Sequence, residues 1–437
     1  MSKKSPIDKL LAPISNFIHL EYTSGIVLLV AVLVAVVWAN SDFGASYHLF
    51  WETSLSIGFG NALLDQPLHI WINDGLMALF FFVIGLELKR EFIDGELSTL
   101  SKAILPMTAA LGGMLIPALL YVLINMKSNS IHGWGIPMAT DIAFALAILS
   151  MAGKHIPTSV KVFLSALAVA DDLGAVLVIA FFYTADVNFI ALGVAAIFLL
   201  LMLIGNLTGV RNNLFYLVLG LCVWLGFLFS GVHATIAGVL VAFCIPARTK
   251  INTLLYSDTL KKLNQKFDQQ PGSKSSLISA AQHQAIYDIK KISEEAETPL
   301  QKIEHALHPW VAFLIMPLFA LSNSGIHIGF GFFAALADPV ALGVLVGLVI
   351  GKFSGIILFT WLMVKARFAK LPKGASWKHM IGVGLLGGIG FTMSMFISGL
   401  AFDDADHVEK AKYGIFMASI VAGISGIAVL RQKVQGL

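Results

Sequence analysis

Charge is what this sequence has least of. Only 13% of its 437 residues are Asp, Glu, Lys or Arg, and 57% are hydrophobic, whereas about a quarter of a soluble domain is charged. A chain so composed cannot clothe itself in water-binding groups, which excludes an ordinary soluble enzyme or binding module. Cysteine is almost missing as well. Cys222 and Cys244 both sit inside apolar runs, which argues against a disulfide framework or a zinc site and leaves two lipid-facing or packed thiols. Basic residues are not in excess either: a net charge of +3 gives no sign of a nucleic-acid partner. Apolar runs recur from Gly25 to Leu430 with one polar interruption, so the chain reads as one all-α polytopic membrane protein.

Runs near the roughly 20 residues needed to span a bilayer fall at 25–39, 68–88, 103–125, 133–152, 158–182, 189–208, 213–230, 232–246, 305–325, 340–364, 379–400 and 411–430, about twelve transmembrane helices. Lys3, Lys4 and Lys9 before Gly25 to Ala39 imitate a secretory signal, but the many later spans favour an uncleaved first helix. The loop 40–66 is polar and aromatic without Lys or Arg, whereas 247–303 carries Lys261, Lys262, Lys266, Lys290, Lys291, Glu294, Glu295 and Glu297 and reads as a soluble, partly helical insert. The chain thus divides into an N-terminal segment 1–24, helices 1–8 over 25–246, the insert 247–303, helices 9–12 over 304–431 and a tail 432–437. Of the 29 Lys and Arg residues, only Lys127, Lys410 and Lys412 fall in odd-numbered loops, which places both termini, and the insert, in the cytoplasm.

Lys352 belongs to neither group of loops. About 12 residues, or about 18 Å of helix, separate it from either end of its span, too far for its amine to snorkel out, so it needs a partner or an aqueous cavity. Asp141 lies midway along the fourth span, Asp171 and Asp172 midway along the fifth, and Asp74 near the outer end of the second. An acid at a helix centre costs about 2.5–3.5 kcal/mol on insertion scales, so the set points to an ion or proton path, the alternative being a structural salt bridge of Lys352 with one Asp. Asp74, nearer an end, fits a structural role better. Consecutive helical residues point about 100° apart, so one of Asp171 and Asp172 can meet a transported ion while the other meets Lys352 or a neighbouring helix. Low dielectric and a neighbouring carboxylate both favour a protonated acid, and a hard cation such as Na⁺ wants the same oxygens, so the two compete.

Two spans also contain interruptions. Met138-Ala139-Thr140-Asp141 in the fourth and Gly387-Gly388-Ile389-Gly390 in the eleventh bring small and hydroxyl residues to mid-membrane, where they serve either close packing or unwinding. If spans three to five and ten to twelve form inverted repeats, the two interrupted helices cross at the midplane. Two positive helix N-termini and two negative C-termini then face each other. Asp141 is placed to neutralise the first pair and Lys352 the second.

These features resemble the NhaA-type sodium/proton antiporters, themselves a standard example of inverted-repeat transporters. The resemblance is carried by Phe81 to Glu91 (FFVIGLELKRE), Thr140 to Ala145 (TDIAFA), Ala168 to Ala175 (AVADDLGA), Ser230 to Thr235 (SGVHAT), His308 to Val311 (HPWV) and Gly388 to Ser394 (GIGFTMS). It implies twelve helices with an inverted repeat, a homodimer held partly by a β-hairpin in the 40–66 loop, and electrogenic, pH-regulated exchange of Na⁺ or Li⁺ for H⁺ across a bacterial inner membrane. No cofactor is implied; the partners are sodium ion, protons and membrane lipid. By position, Asp171 and Asp172 hold Na⁺ or protons, Thr140 and Asp141 belong to the unwound helix, Thr140 beside the ion, and Lys352 is the family's buried lysine. Glu87, Arg90 and Glu91 with Glu304, His305 and His308 match its pH-sensing face; read without the family, the first group is a snorkelling helix end and the histidines interfacial anchors. The chain departs from the family at Gly351-Lys352-Phe353, where a proline usually follows the lysine and whose loss suggests a straighter helix, and in its longer insert.

Two rival functions share parts of this pattern. A sodium-coupled solute symporter on a similar fold needs a larger polar cavity. An intramembrane aspartyl protease places one Asp on each of two adjacent helices, as Asp141 and Asp171 are, but lacks use for Lys352 and the doubled Asp, and no Gly-x-Gly-Asp pattern is present. Ser230 and His233, three apart, are expected to bond backbone rather than to form a hydrolase pair. The orientation is checked by labelling. A cysteine introduced between Asn40 and Asp65 is expected to react with an impermeant thiol reagent from the periplasmic side and one between Ser273 and Ser276 not to; the reverse pattern overturns it.

Overall fold

The computed structural model describes residues 23–59, 62–153, 155–184, 187–269, 278–329 and 331–432. Of the expected segments, the first 22 residues, the end of the tail from 433 and the insert positions Ser273 to Ser276 lie outside these. The first described helix, α1 (Thr23–Ala39), turns by 114° into the short α2 (Gly44–Glu52). Strands β1 (Ser54–Phe59) and β2 (Ala62–Pro67) then pair antiparallel with Ile57 opposite Leu64, so the 40–66 loop does carry a hairpin. Trp71 ties it to the next helix by donating from its indole N–H to Leu55 O at 2.9 Å.

That helix, α3 (Leu68–Asp94), loosens into a π-turn over Trp71–Leu76, which contains Asp74. After α4 (Leu100–Asn125) come a 3₁₀ stretch (Asn129–Met138), a break, α5 (Ile142–Ala152) and α6 (Thr158–Phe182). Helices α7 (Phe189–Leu207), α8 (Asn213–Leu228) and α9 (Ala234–Cys244) complete the first part. The insert holds α10 (Thr253–Asp268) and α11 (Ala280–Ala296). Beyond it lie α12 (Pro299–Asn323), α13 (Pro339–Lys365), α14 (Trp377–Gly387), α15 (Phe391–Ala401) and α16 (Ala405–Arg431).

Seven of these, α3, α4, α6, α7, α12, α13 and α16, are long and apolar enough to cross a membrane. Three segments reach that length only as bent pairs: α1 with α2, the 3₁₀ stretch with α5 at 42°, and α14 with α15 at 41°, while α8 and α9 are shorter apolar helices. They stand where the twelve expected spans stand, with boundaries shifted by up to six residues: the second runs on to Asp94 and the twelfth begins at Ala405. The eighth is shorter than its apolar run because Gly231 turns the chain at φ +80° before it and Pro246 comes just after its end. The ninth starts earlier, at Pro299, because Thr298 and Gln301 close a capping box and proline suits a first helical turn.

The trio of α4, broken helix and α6 recurs as α13, broken helix and α16, an inverted repeat. Its two leading helices touch through glycine. A Cβ on Gly355 would lie 2.1 Å from Gly112 O, and one on Gly112 2.4 Å from Gly355 O, so each backbone fills the other's missing side chain. As expected from Phe353, α13 runs unbroken over Pro339–Lys365, but it is wound into a π-turn over Gly347–Lys352 just before that residue. Gly347 and Gly351 permit this by pressing onto Pro137 and Pro117, where a Cβ would meet atoms at 2.7 Å in each case. The π-turn delivers Lys352 to the interior, fully buried.

The insert is a helical hairpin clamped at its root. Lys250 N–H donates to Glu295 O at 3.0 Å and its amine pairs with the Glu295 carboxylate at 2.7 Å. That hydrogen bond holds the Glu295 carboxyl below the usual carboxylate range. Arg211, from the loop between α7 and α8, donates to Arg248 O at 2.6 Å, and Leu300 N–H to Pro246 O at 3.1 Å.

The glycine crossing predicts an asymmetry. Gly355→Ala forces backbone apart and should lower stability by about 1–3 kcal/mol, whereas Gly193→Ala on α7, with nothing within 4 Å, should not. Thermal unfolding of purified variants in detergent checks this; equal melting temperatures refute the close crossing.

Candidate ion-binding site

The two breaks lie against each other. Asp141 N–H donates to Ile389 O at 2.7 Å and Ser394 Oγ to Ile136 O at 2.8 Å, so each broken helix supplies what the other's freed peptide groups lack. Asp141 is the N-cap of α5, its Oδ1 accepting from Phe144 N–H at 3.0 Å. Its other oxygen accepts from Thr392 N–H at 3.1 Å and from the Thr392 hydroxyl. One carboxylate thus faces the N-terminal ends of both α5 and α15.

The opposite ends are shared between two residues. Lys352 donates to Met138 O, at the end of the 3₁₀ stretch, and the Thr140 hydroxyl lies 3.0 Å from Gly387 O, at the end of α14. The Lys352 amine thus reaches one of these ends directly, and the Thr140 hydroxyl stands at the other. Lys352 also pairs with Asp171, Nζ to Oδ2 at 2.5 Å, and Thr140 Oγ1 stands 2.6 Å from the same oxygen. Asp141, Thr140, Asp171 and Lys352 are all buried.

Asp172 is different. Equally buried, it receives no hydrogen bond from the described residues on either oxygen, and the second Asp171 oxygen receives none from them. Successive positions on α6 turn Asp171 to Lys352 and Asp172 to a cavity of about 420 Å³. That cavity is walled by α3, α5, α6 and α12, including Glu87, Ser165, His308 and Met316. A second cavity of about 990 Å³ adjoins it through shared lining at Ser24, His308 and Ala312. Arg90 sits in its wall, paired with Glu304 at 2.9 Å, Glu91 at 3.5 Å and Glu87 at 3.8 Å, and His305 and His308 line the same space. The sequence-distant charges of α3 and α12 form one cluster.

Residues 15–430 match the family model described as Na+/H+ antiporter 1. The chain is 50% identical over 434 residues to the Na(+)/H(+) antiporter NhaA of Oleidesulfovibrio alaskensis, covering 99% of this chain and 96% of that one. It is 47% identical to Na(+)/H(+) antiporter NhaA 2 of Syntrophotalea carbinolica, over 96% of both chains. The NhaA of Acidithiobacillus ferrooxidans is 48% identical over 97% of this chain and 98% of its own.

The chain belongs to the Na+/H+ antiporter 1 family. Membership places it among transporters rather than enzymes, and its apolar spans make it a membrane protein. The protease reading fails on geometry besides: Asp141 engages Thr392 and Phe144, Asp171 engages Lys352 and Thr140, and the two share no proton. Ser230 and His233 bond backbone as expected, Ser230 Oγ to Phe227 O at 2.8 Å and His233 Nε2 to Tyr183 O at 2.6 Å. Sequence reasoning missed two contributors. Thr392 lies inside a motif to which it gave no separate role, though a hydroxyl just after Gly390 is placed to meet the facing N-cap. Ser165 stands seven residues before Asp172, two helical turns along one face, a spacing that could have pointed to it.

Lys352→Ala in this antiporter-family chain should destabilise by about 3–5 kcal/mol, because it strands the buried Asp171 carboxylate. Lys352→Ala combined with Asp171→Ala should recover most of the loss. Melting of the purified variants decides it; an unchanged single variant refutes the pairing.

Proposed function

We propose that the chain exchanges Na⁺, or Li⁺, for protons across the bacterial inner membrane, by competition at Asp171 and Asp172 with alternating access. The observation that carries this is the inequality of the two acids: Asp171 is matched by Lys352, while Asp172 offers two unengaged oxygens to a cavity. An unmatched carboxylate in so dry a place is tolerable with a proton or a cation bound, and not both. Na⁺ arriving there also attracts Asp171 away from Lys352, weakening the amine's hold on its own proton. A single Na⁺ can then displace more than one proton, which makes the exchange electrogenic. The charged groups of the cavity, Glu87, Asp141, Lys161 and Asp172, support a small ion over an organic solute.

The remaining roles are arranged around this centre. Both termini and the insert are cytoplasmic, so the cavity reaching Asp172 faces inward. Asp141 and Lys352 stabilise the crossing, with Thr140 bridging crossing and ion site. The cluster of Glu87, Arg90, Glu91, Glu304, His305 and His308 senses cytoplasmic pH, since the Arg90–Glu304 ion pair joins α3 to α12 and histidine changes charge near neutrality. The β1–β2 hairpin takes part in a homodimer.

Asp172→Asn should abolish exchange and Na⁺ binding while leaving a folded protein, because an amide can neither hold the charge nor exchange the proton. Asp141→Asn should impair apparent affinity more than turnover. Everted vesicles with an internal pH probe, challenged with Na⁺ or Li⁺, together with calorimetric Na⁺ binding, provide the measurements. Substantial exchange by Asp172→Asn overturns the mechanism.

A further inference from the structure

The larger cavity is not built by the spans alone. Its lining combines Arg90, Glu304, His305 and His308 from α3 and α12 with Tyr256, Ser293, Ala296 and Glu297 from the insert. Because Ser24, His308 and Ala312 line both cavities, the space between insert and α12 adjoins the smaller cavity, which Asp172 also lines. The insert wall also has a charge pattern. The hairpin carries Lys261, Lys262, Lys266, Lys290 and Lys291, yet none of them lines the cavity. What it does present there is the hydroxyl pair Tyr256 and Ser293, 3.1 Å apart, and Glu297. On the facing wall Arg90 is matched by Glu304, Glu91 and Glu87, so the carboxylate at Glu297 has no cation set against it in the lining.

We propose that the insert is part of the ion route: α10 and α11 wall the cytoplasmic vestibule, and Glu297 raises the local concentration of cations on their way to Asp172. An acid beside a low-dielectric channel focuses the field inward, and one charge of either sign there changes the encounter rate of an ion without touching the chemistry at depth. The position of Glu297 is fixed for this purpose. It closes α11, and Thr298 begins the cap of α12, so no slack separates insert from span. Arg211 further reaches the Glu297 carbonyl at 3.4 Å, holding the backbone while leaving the carboxylate to the vestibule.

This inference rests on the proposed exchange for one of its two tests and is independent of it in the other. In everted vesicles, which present the cytoplasmic face, Glu297→Gln should raise the Na⁺ concentration for half-maximal proton movement about two-fold and Glu297→Lys about four-fold at low ionic strength. The maximal rate should hold, and choline chloride at high concentration should erase the difference by screening. The second test needs no transport. Ser165→Cys places a thiol inside the smaller cavity, and its labelling by a cationic and an anionic methanethiosulfonate is monitored at that peptide by mass spectrometry. Glu297→Lys should slow the cationic reagent and speed the anionic one by similar factors, with Glu297→Gln between. Labelling rates indifferent to both substitutions overturn the proposal, as does a fall in maximal rate with the Na⁺ requirement unchanged, which would make Glu297 merely structural. If the unsubstituted protein moves no protons on adding Na⁺, the antiporter reading fails, and the labelling still decides whether the insert walls the route.

Discussion

A bilayer offers no water to a broken helix, so every peptide group freed by a break must be answered by protein. That constraint organises this molecule. Two breaks are set side by side so that one loop's N–H meets the other's carbonyl, as Asp141 meets Ile389, and hydroxyls at Thr140, Thr392 and Ser394 fill what remains. The residual problem is electrostatic. Partial positive charge gathers at the starts of α5 and α15 and partial negative charge at the ends of the 3₁₀ stretch and α14, and a full charge of opposite sign is buried beside each. If those charges compensate the helix ends as we propose, the aspartate and the lysine are part of the scaffold before they are part of any transport cycle.

Packing then decides where those charges stand. Lys352 reaches the crossing because α13 lies hard against α4 at the Gly112–Gly355 contact and because a π-turn supported by Gly347 and Gly351 rotates the helix at that point. A π-turn adds a residue to a turn and so re-aims the side chains beyond it, a recurring arrangement at functional sites.

Much of this was legible in the sequence, for a physical reason. Hydrocarbon penalises charge so strongly that Lys352, Asp141, Asp171 and Asp172 stand out without any knowledge of contacts. The division of labour between neighbours in α6 came from helical geometry alone. Features that depend on facing surfaces were not legible. That Thr140 rather than Lys352 meets Gly387, that Thr392 holds Asp141, and that α13 is wound as a π-helix are all set by which backbone lies opposite, which periodicity does not carry. The insert shows the same limit: its lysines announce a polar segment, but their absence from the wall of the larger cavity emerges only once α10 and α11 are folded.

The difference between Asp141 and Asp172 explains why one buried acid can be fixed scaffold while another is free to exchange its partner. Asp141 spends both oxygens on donors that belong to the crossing itself, so any competitor would have to undo backbone hydrogen bonds of both broken helices. Asp172 has made no such commitment, so under the proposed exchange the species it binds is replaced without undoing a protein hydrogen bond. Asp171 lies between these cases. Its partners are two side chains, Lys352 and Thr140, and Thr140 also touches the crossing through Gly387, so a cation that draws Asp171 aside reaches the broken helices through one hydroxyl. Under the proposed exchange, that hydroxyl is the shortest physical link between occupation of the site and movement of the helices around it.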